Sequence, residues 1–190
     1  MVTTRRADAE RNIAAIIAAG TRLLSADPNA SVAEIAKAAG VGRVTLYGHF
    51  ATREALVDAV MDHAIEVTLP LIENPALEEM PAPEAMATLI ATSWEILARH
   101  SSLFLAASQT MPMERIRRHH ERPLLTVERL IARGRDDGDF RTDLPLSWLV
   151  STFFGVLHSA AQEVEAGRLE RSSAESVLSK TILPLLSYGA

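Results

Sequence analysis

The chain has 190 residues, 48% of them hydrophobic, a formal net charge of −5 and no cysteine. That composition supplies a sizeable core, for one domain or a small domain fused to a larger one, and excludes disulfides, thiolate nucleophiles and Cys-based zinc or iron–sulfur sites. The N-terminal "MVTTRRADAERN" lacks the apolar stretch of a secretion signal, and no run of about 18 apolar residues offers a membrane span, so the expectation is a soluble cytoplasmic protein with no membrane partner.

Helical spacing recurs throughout and strand-like alternation is scarce, so the expected fold is all-α. A first helix over about 8–26 carries Ile13, Ile16, Ile17, Leu23 and Leu24 on one side and stops at Asp27-Pro28-Asn29. Ser31-Val32-Ala33-Glu34 reads as a capping box that opens a second helix, which ends at Ala39-Gly40, where glycine permits a positive φ. A short third helix is expected from about Gly42 to Gly48. Thr52 reads as the N-cap of a fourth helix, running to about Leu69 and stopped by Pro70. The acidic, Pro-rich "ENPALEEMPAPE" then reads as a linker. Further helices are expected at about 84–99, 102–110, 113–135, 145–166 and 172–187, with Pro123 kinking or splitting the third of these.

Charge is placed unevenly along this order. Residues 1–53 hold seven Lys/Arg against four Asp/Glu, whereas 54–190 hold twelve against twenty. A basic head on an acidic body is what binding of a polyanion by one end looks like.

The second and third helices with their glycine turn make a helix-turn-helix, whose second helix enters the DNA major groove. At about 100° per residue, Leu46 and Phe50 face the core, Arg43, Tyr47, Thr45 and His49 lie along the two edges, and Val44 and Gly48 point away. Arg43 can pair with a guanine edge or a phosphate, Thr45 with a base edge or a thymine methyl, and Val44 with a methyl only. Tyr47 and His49 can reach the sugar–phosphate backbone, and Thr52 and Arg53 sit where a helix N-terminus favours a phosphate. Each has a plainer reading as well: Tyr47 as filler between helices, His49 as a link to a neighbouring helix, Arg43 as a solvated charge.

The stretch "SVAEIAKAAGVGRVTLYGHFATREAL" closely resembles the DNA-binding region of the TetR family of transcriptional regulators, with its AGV turn, "TLYxHF" recognition helix and "[ST]-[KR]-E-x-L" start to the next helix. The resemblance implies a three-helix DNA-binding domain over 1–52 and an effector-binding and dimerisation domain over 53–190. It implies that Ser31 contacts a phosphate, that Arg43, Val44 and Thr45 face bases, and that Tyr47, His49, Thr52 and Arg53 hold the backbone. Val44 and Gly48 depart from the family's usual residues and reduce polar readout.

In the body, the apolar residues of the 145–166 helix form a near-unbroken stripe, with Trp148, Thr152, Gly155 and Ser159 on another side. Burial in the monomer or a second subunit accounts for it equally well, and the resemblance implies a homodimer through 145–166 and 172–187. The resemblance also places an effector pocket in the middle helices. Its candidates are Met86, Leu89, Trp94, Phe104, Met111, Ile116, Phe153, Phe154 and His158, whose soft and aromatic walls suit an apolar or aromatic ligand. The alternative is that all nine are core. Arg115, Arg117, Arg118, His119, His120 and Arg122 read as a solvated basic face. His119-His120 has the wrong spacing for a metal on a helix, and no metal or cofactor is expected.

The function so implied is a ligand-responsive regulator, a repressor that binds a palindromic DNA operator as a dimer and is released by a small effector. The alternative is a helical small-molecule-binding protein whose DNA-binding head is weak or vestigial. An enzyme is not expected, because no nucleophile, base and oxyanion group are spaced to converge.

Overall fold

The computed structural model of the chain describes residues 2–187, with side chains from Arg6 onward. Its helices are α1 (Val2–Ala26), α2 (Val32–Ala38), α3 (Arg43–His49), α4 (Arg53–Ile72), α5 (Ala76–Glu79), α6 (Ala82–Arg99), α7 (Ser101–Thr110), α8 (Met113–His119), α9 (Glu121–Asp136), α10 (Leu146–Glu165) and α11 (Arg171–Leu186). Among the described residues there is no strand, and no helix is long and apolar enough to cross a membrane. The all-α expectation is met.

Contacts gather into two compact units. The first holds the chain up to Val67 together with His100–His119, and so comprises α1–α3, most of α4, α7 and α8. Its core joins Ile16 and Leu24 of α1 to Ile35 of α2, Leu46 of α3, Leu56, Val57 and Val60 of α4, Leu103 and Phe104 of α7, and Ile116 of α8. Side chains of this size each stabilise by about 1.5–3 kcal/mol when fully buried, which fixes α3 to the rest of this core through Leu46.

Charge closes the same unit on the side of α8. The Arg115 guanidinium straddles Asp58, with Nε on Oδ1 at 2.9 Å and Nη2 on Oδ2 at 2.7 Å, and its third nitrogen donates to Glu54 at 2.6 Å. His119 lies between Asp58 and Asp62, at 2.8 and 2.7 Å. The stretch that reads in sequence as a solvated basic face therefore turns two of its side chains, Arg115 and His119, onto the acidic face of α4.

The second unit holds Thr68–Arg99 and the chain from His120 onward. Here α6 packs on α9, α10 and α11, and α10 on α9 and α11. Leu89 and Ile90 of α6, Ile131 of α9, Leu149 and Phe153 of α10, and Leu178 and Ile182 of α11 meet in one core. The Phe140 ring packs against Gly134 of α9. A methyl group at that glycine would fall 2.1 Å from the ring.

Three elements differ from the sequence expectation, each for a local reason. Pro70 does not stop α4, which runs on to Ile72, because Leu69 and Ile72 are drawn into the interior and only two residues follow the missing N–H. The acidic "linker" is tied down: Leu77 is buried, and Arg133 donates to the carbonyls of Glu78, Leu77 and Met80 at 2.5, 2.9 and 3.0 Å. The helix expected over 113–135 is split, but at His120 rather than at Pro123. Pro123 then falls in the first turn of α9, where backbone N–H groups have no intrahelical partner to lose.

Candidate nucleic-acid interface

The helix-turn-helix assembles from local chemistry. Ser31 Oγ accepts from the Glu34 N–H at 3.2 Å, and the Glu34 carboxylate takes the Ser31 N–H at 2.8 Å, so the box that opens α2 is complete. The Ser31 N–H, and then the Ser31 hydroxyl, which donates to the same carboxylate at 2.7 Å, hold the Glu34 carboxyl below its ordinary pKa. At the other end Gly40 has φ +69°, and Val41 N–H reaches back to Ala36 at 3.0 Å while Gly40 N–H reaches Lys37 at 3.2 Å. This turn satisfies the last carbonyls of α2 and swings the chain into α3.

On α3 the two faces separate cleanly. Leu46 is fully buried and caps the core with Phe50, while Arg43, Thr45, Tyr47 and Gly48 are exposed and Val44 is 87% exposed. Arg43, Thr45, Tyr47 and half-buried His49 make no side-chain hydrogen bond within the described residues, so their polar groups all remain available. The space over Gly48 is empty to 4 Å.

The start of α4 frames this surface. Thr52 Oγ1 accepts from the Ala55 N–H at 3.0 Å and caps the helix. Arg53 turns inward: its terminal nitrogens donate to the carbonyls of Ala30 at 2.5 Å and Pro28 at 2.8 Å. Where the sequence suggests a phosphate contact, the guanidinium clamps the α1–α2 turn on both sides of Asn29. A groove of about 480 Å³ then opens between Asn29, Ser31, Arg43, Tyr47 and Arg53, and it includes Gln109 from α7. Sequence reasoning singled out neither Asn29 nor Gln109. Asn29 sits in a turn that signals itself, but Gln109 lies far along the chain with no local signal at all.

The nine effector candidates do not share one core. Phe104, Met111 and Ile116 belong to the interior of the first unit. Met86, Leu89, Trp94 and Phe153 are buried in the second, with Phe154 half-buried beside them. There an aromatic cluster forms, with Phe154 and His158 ring centres 4.2 Å apart and His120 at 5.2 and 5.1 Å from the two. Burial, with the charge of His120 adding to it, pushes the pKa of His158 down to about 3, so its imidazole is neutral at ordinary pH.

Residues 16–60 match the sequence profile of "Bacterial regulatory proteins, tetR family". The chain is 27% identical over 161 residues to the HTH-type transcriptional regulator NfxB of Pseudomonas aeruginosa PAO1, a match that covers 82% of this chain and 84% of that protein. Among solved structures it resembles FadR of Bacillus subtilis in complex with stearoyl-CoA, with a TM-score of 0.73 at 17% identity over 90% of this chain and 97% of that one. It also resembles the TetR-like regulator LfrR of Mycobacterium smegmatis in complex with proflavine, with a TM-score of 0.67 at 18% identity over 95% and 98% of the two chains. These structures share its fold.

Proposed function

We propose that the chain is a transcriptional regulator of the TetR family, a cytoplasmic repressor that binds a palindromic operator as a homodimer and leaves it when a small effector binds. The observation that carries this reading is the surface of α3: a helix whose apolar side is spent on the core and whose other sides offer Arg43, Val44, Thr45 and Tyr47, exposed and unengaged. In the proposed assignment Arg43, Val44 and Thr45 face base edges. Ser31, Tyr47, His49 and Thr52 hold the phosphate backbone, and Arg53 serves by fixing the turn beside them. Residues 1–52 are thus the DNA-reading part, and 53–190 receive the effector and the second subunit.

Two features support the rest of the proposal. α10 and α11 bury one side in their own unit and leave Trp148 60% and Val177 42% exposed on another, with Gly155 open to close approach. A second copy of the same surface covers such residues isologously, and a dimer reads a palindrome when its two recognition helices lie about one DNA turn apart. For the effector, the Phe154–His158–His120 cluster with Met86, Leu89, Trp94 and Phe153 offers an apolar, aromatic environment with neutral imidazole. An apolar or aromatic ligand suits it, as proflavine and stearoyl-CoA are the ligands of the two related structures. Effector and operator then weaken each other by the same factor.

The test is selection of bound fragments from a random DNA pool. Wild type enriches a palindrome. Arg43→Ala relaxes one position of each half-site, by the roughly 1–3 kcal/mol of a lost bidentate base contact, whereas Tyr47→Phe weakens all sequences alike. A wild-type protein that enriches nothing even at low salt is not a DNA-binding repressor, and small-molecule binding becomes its whole function.

A further inference from the structure

The groove beside α3 has one wall that the helix-turn-helix does not supply. That wall is Gln109, the penultimate residue of α7, which lines the same space as Arg43 and Tyr47. We propose that Gln109 is a DNA-backbone contact, so that α7 as well as α2–α4 touches the operator, at a phosphate seated in this groove. The proposal rests on the DNA-binding reading above and adds a contact from outside the helix-turn-helix.

The polar groups at the end of α7 are divided in their use. Ser108 donates to the Leu105 carbonyl at 2.9 Å and Thr110 to the Ala106 carbonyl at 2.9 Å, so both hydroxyls are spent on their own helix. Between them, Gln109 is exposed and its carboxamide makes no hydrogen bond within the described residues. The side chains of Arg43, Tyr47 and Asn29 are equally unengaged, and none of the residues lining the groove is acidic. Four unspent donors thus surround one space, and the Glu34 carboxylate beside it is engaged by the Ser31 N–H at 2.8 Å and the Ser31 hydroxyl at 2.7 Å. A phosphate, with several acceptor oxygens and one negative charge, matches that set, and the surface of B-DNA presents such groups in regular order.

The groove is also preformed. Arg53 fixes the turn that carries Asn29 through the carbonyls of Pro28 and Ala30. α7 is anchored by buried Leu103, Phe104, Ala106 and Ala107, and at its start by Ser25 Oγ and His100 Nδ1, 3.0 Å apart. Gln109 therefore meets a ligand from a rigid helix, and ordering it costs little beyond one side chain.

Because the carboxamide is neutral, its contact releases no counterion, and salt separates it from a general charge effect. The experiment measures binding of the full chain to its selected operator and to random duplex by fluorescence anisotropy across a salt series, for wild type, Gln109→Ala, Gln109→Glu and Gln109→Lys. Gln109→Ala is expected to weaken both DNAs by about three- to tenfold with the salt slope unchanged, as befits one lost hydrogen bond to a charged group. Gln109→Glu weakens binding further, most strongly at low salt. Gln109→Lys strengthens it and steepens the log–log salt slope by about 1. Melting curves check that all three variants remain folded. If wild type binds its operator and all three variants match it within about twofold at every salt, the proposal is overturned while the repressor reading stands. If wild type binds no DNA, both fall together.

Discussion

Arg115 of α8 meets Asp58 of α4 edge to edge, two nitrogens on two oxygens at 2.9 and 2.7 Å, and His119 donates to the same carboxylate at 2.8 Å. A planar guanidinium in this arrangement fixes orientation as well as distance, so α8 is held to α4 at one angle. Glu54 and Asp62 extend the contact along α4 to either side.

The clamp carries a pH dependence with a definite sign. Burial raises the Asp58 carboxyl, but the hydrogen bonds and charges of Arg115 and His119 outweigh it, and its pKa lies below the ordinary 3.8. The stabilisation is therefore present above about pH 4 and lost as pH falls through the lowered value. Asp58→Asn is expected to lower stability by on the order of 1 kcal/mol at pH 7. Its denaturation curve should converge on that of wild type as pH falls through the lowered value. Equal stability at pH 7 would show that the clamp contributes nothing.

His158 works in the opposite protonation state. Buried and neutral, with a pKa near 3 against an ordinary 6.5, it accepts a proton far less readily than the unfolded chain does. Above about pH 6.5 neither state is charged and the residue has no effect. Below that, stability falls by up to about 1.4 kcal/mol per pH unit. Urea titrations between pH 7.5 and 5 read the slope, and His158→Leu should flatten it. An unchanged slope in that variant places the acid sensitivity elsewhere.

Gly134→Ala sets two effects against each other. Alanine gains up to about 1 kcal/mol in a helix interior, but its methyl would lie 2.1 Å from the Phe140 ring. Moving a buried aromatic ring typically costs 1–3 kcal/mol, so the variant is expected to be destabilised by about 1–2 kcal/mol. Phe140→Leu made in the same chain should recover part of that loss, giving a non-additive pair. Additivity would mean that the ring and the glycine do not share the strain.

The exposed side of α10 and α11 makes a prediction for assembly. Trp148→Glu with Val177→Glu removes the apolar cover from a surface that is exposed in the single chain, so folding is expected to be spared. Sedimentation should then find a monomer in place of a dimer, with operator affinity down at least tenfold because one half-site no longer helps the other. A wild-type protein that sediments as a monomer at micromolar concentration would exclude this interface.

Much of the first unit is legible in the sequence because its determinants are local. The Ser31–Glu34 box, the glycine at φ +69° and the Leu46–Phe50 face each need only a few consecutive residues. The remainder depends on partners far along the chain. Arg53 is claimed by carbonyls 23 and 25 residues earlier, Arg115 by carboxylates 57 and 61 residues earlier, and Gln109 lines a groove whose other residues precede it by more than 50 positions. No periodicity announces such pairings. The division of the effector candidates between two interiors has the same origin: Met and Phe at helical spacing identify buried positions without saying which core they enter.

Val44 and Gly48 carry one more consequence. Neither side of this pair supports anything: Val44 stands almost wholly in water, and nothing lies within 4 Å of where a Gly48 side chain would begin. Replacing either residue therefore disturbs no neighbour and asks no other position to adjust. Mutation can try many residues there at almost no penalty in folding, one at a time, without crossing an unfolded intermediate. If α3 reads DNA as proposed, a lineage built on this scaffold can change its preferred target while its interior stays as it was, and a designer randomising these two positions can do the same deliberately.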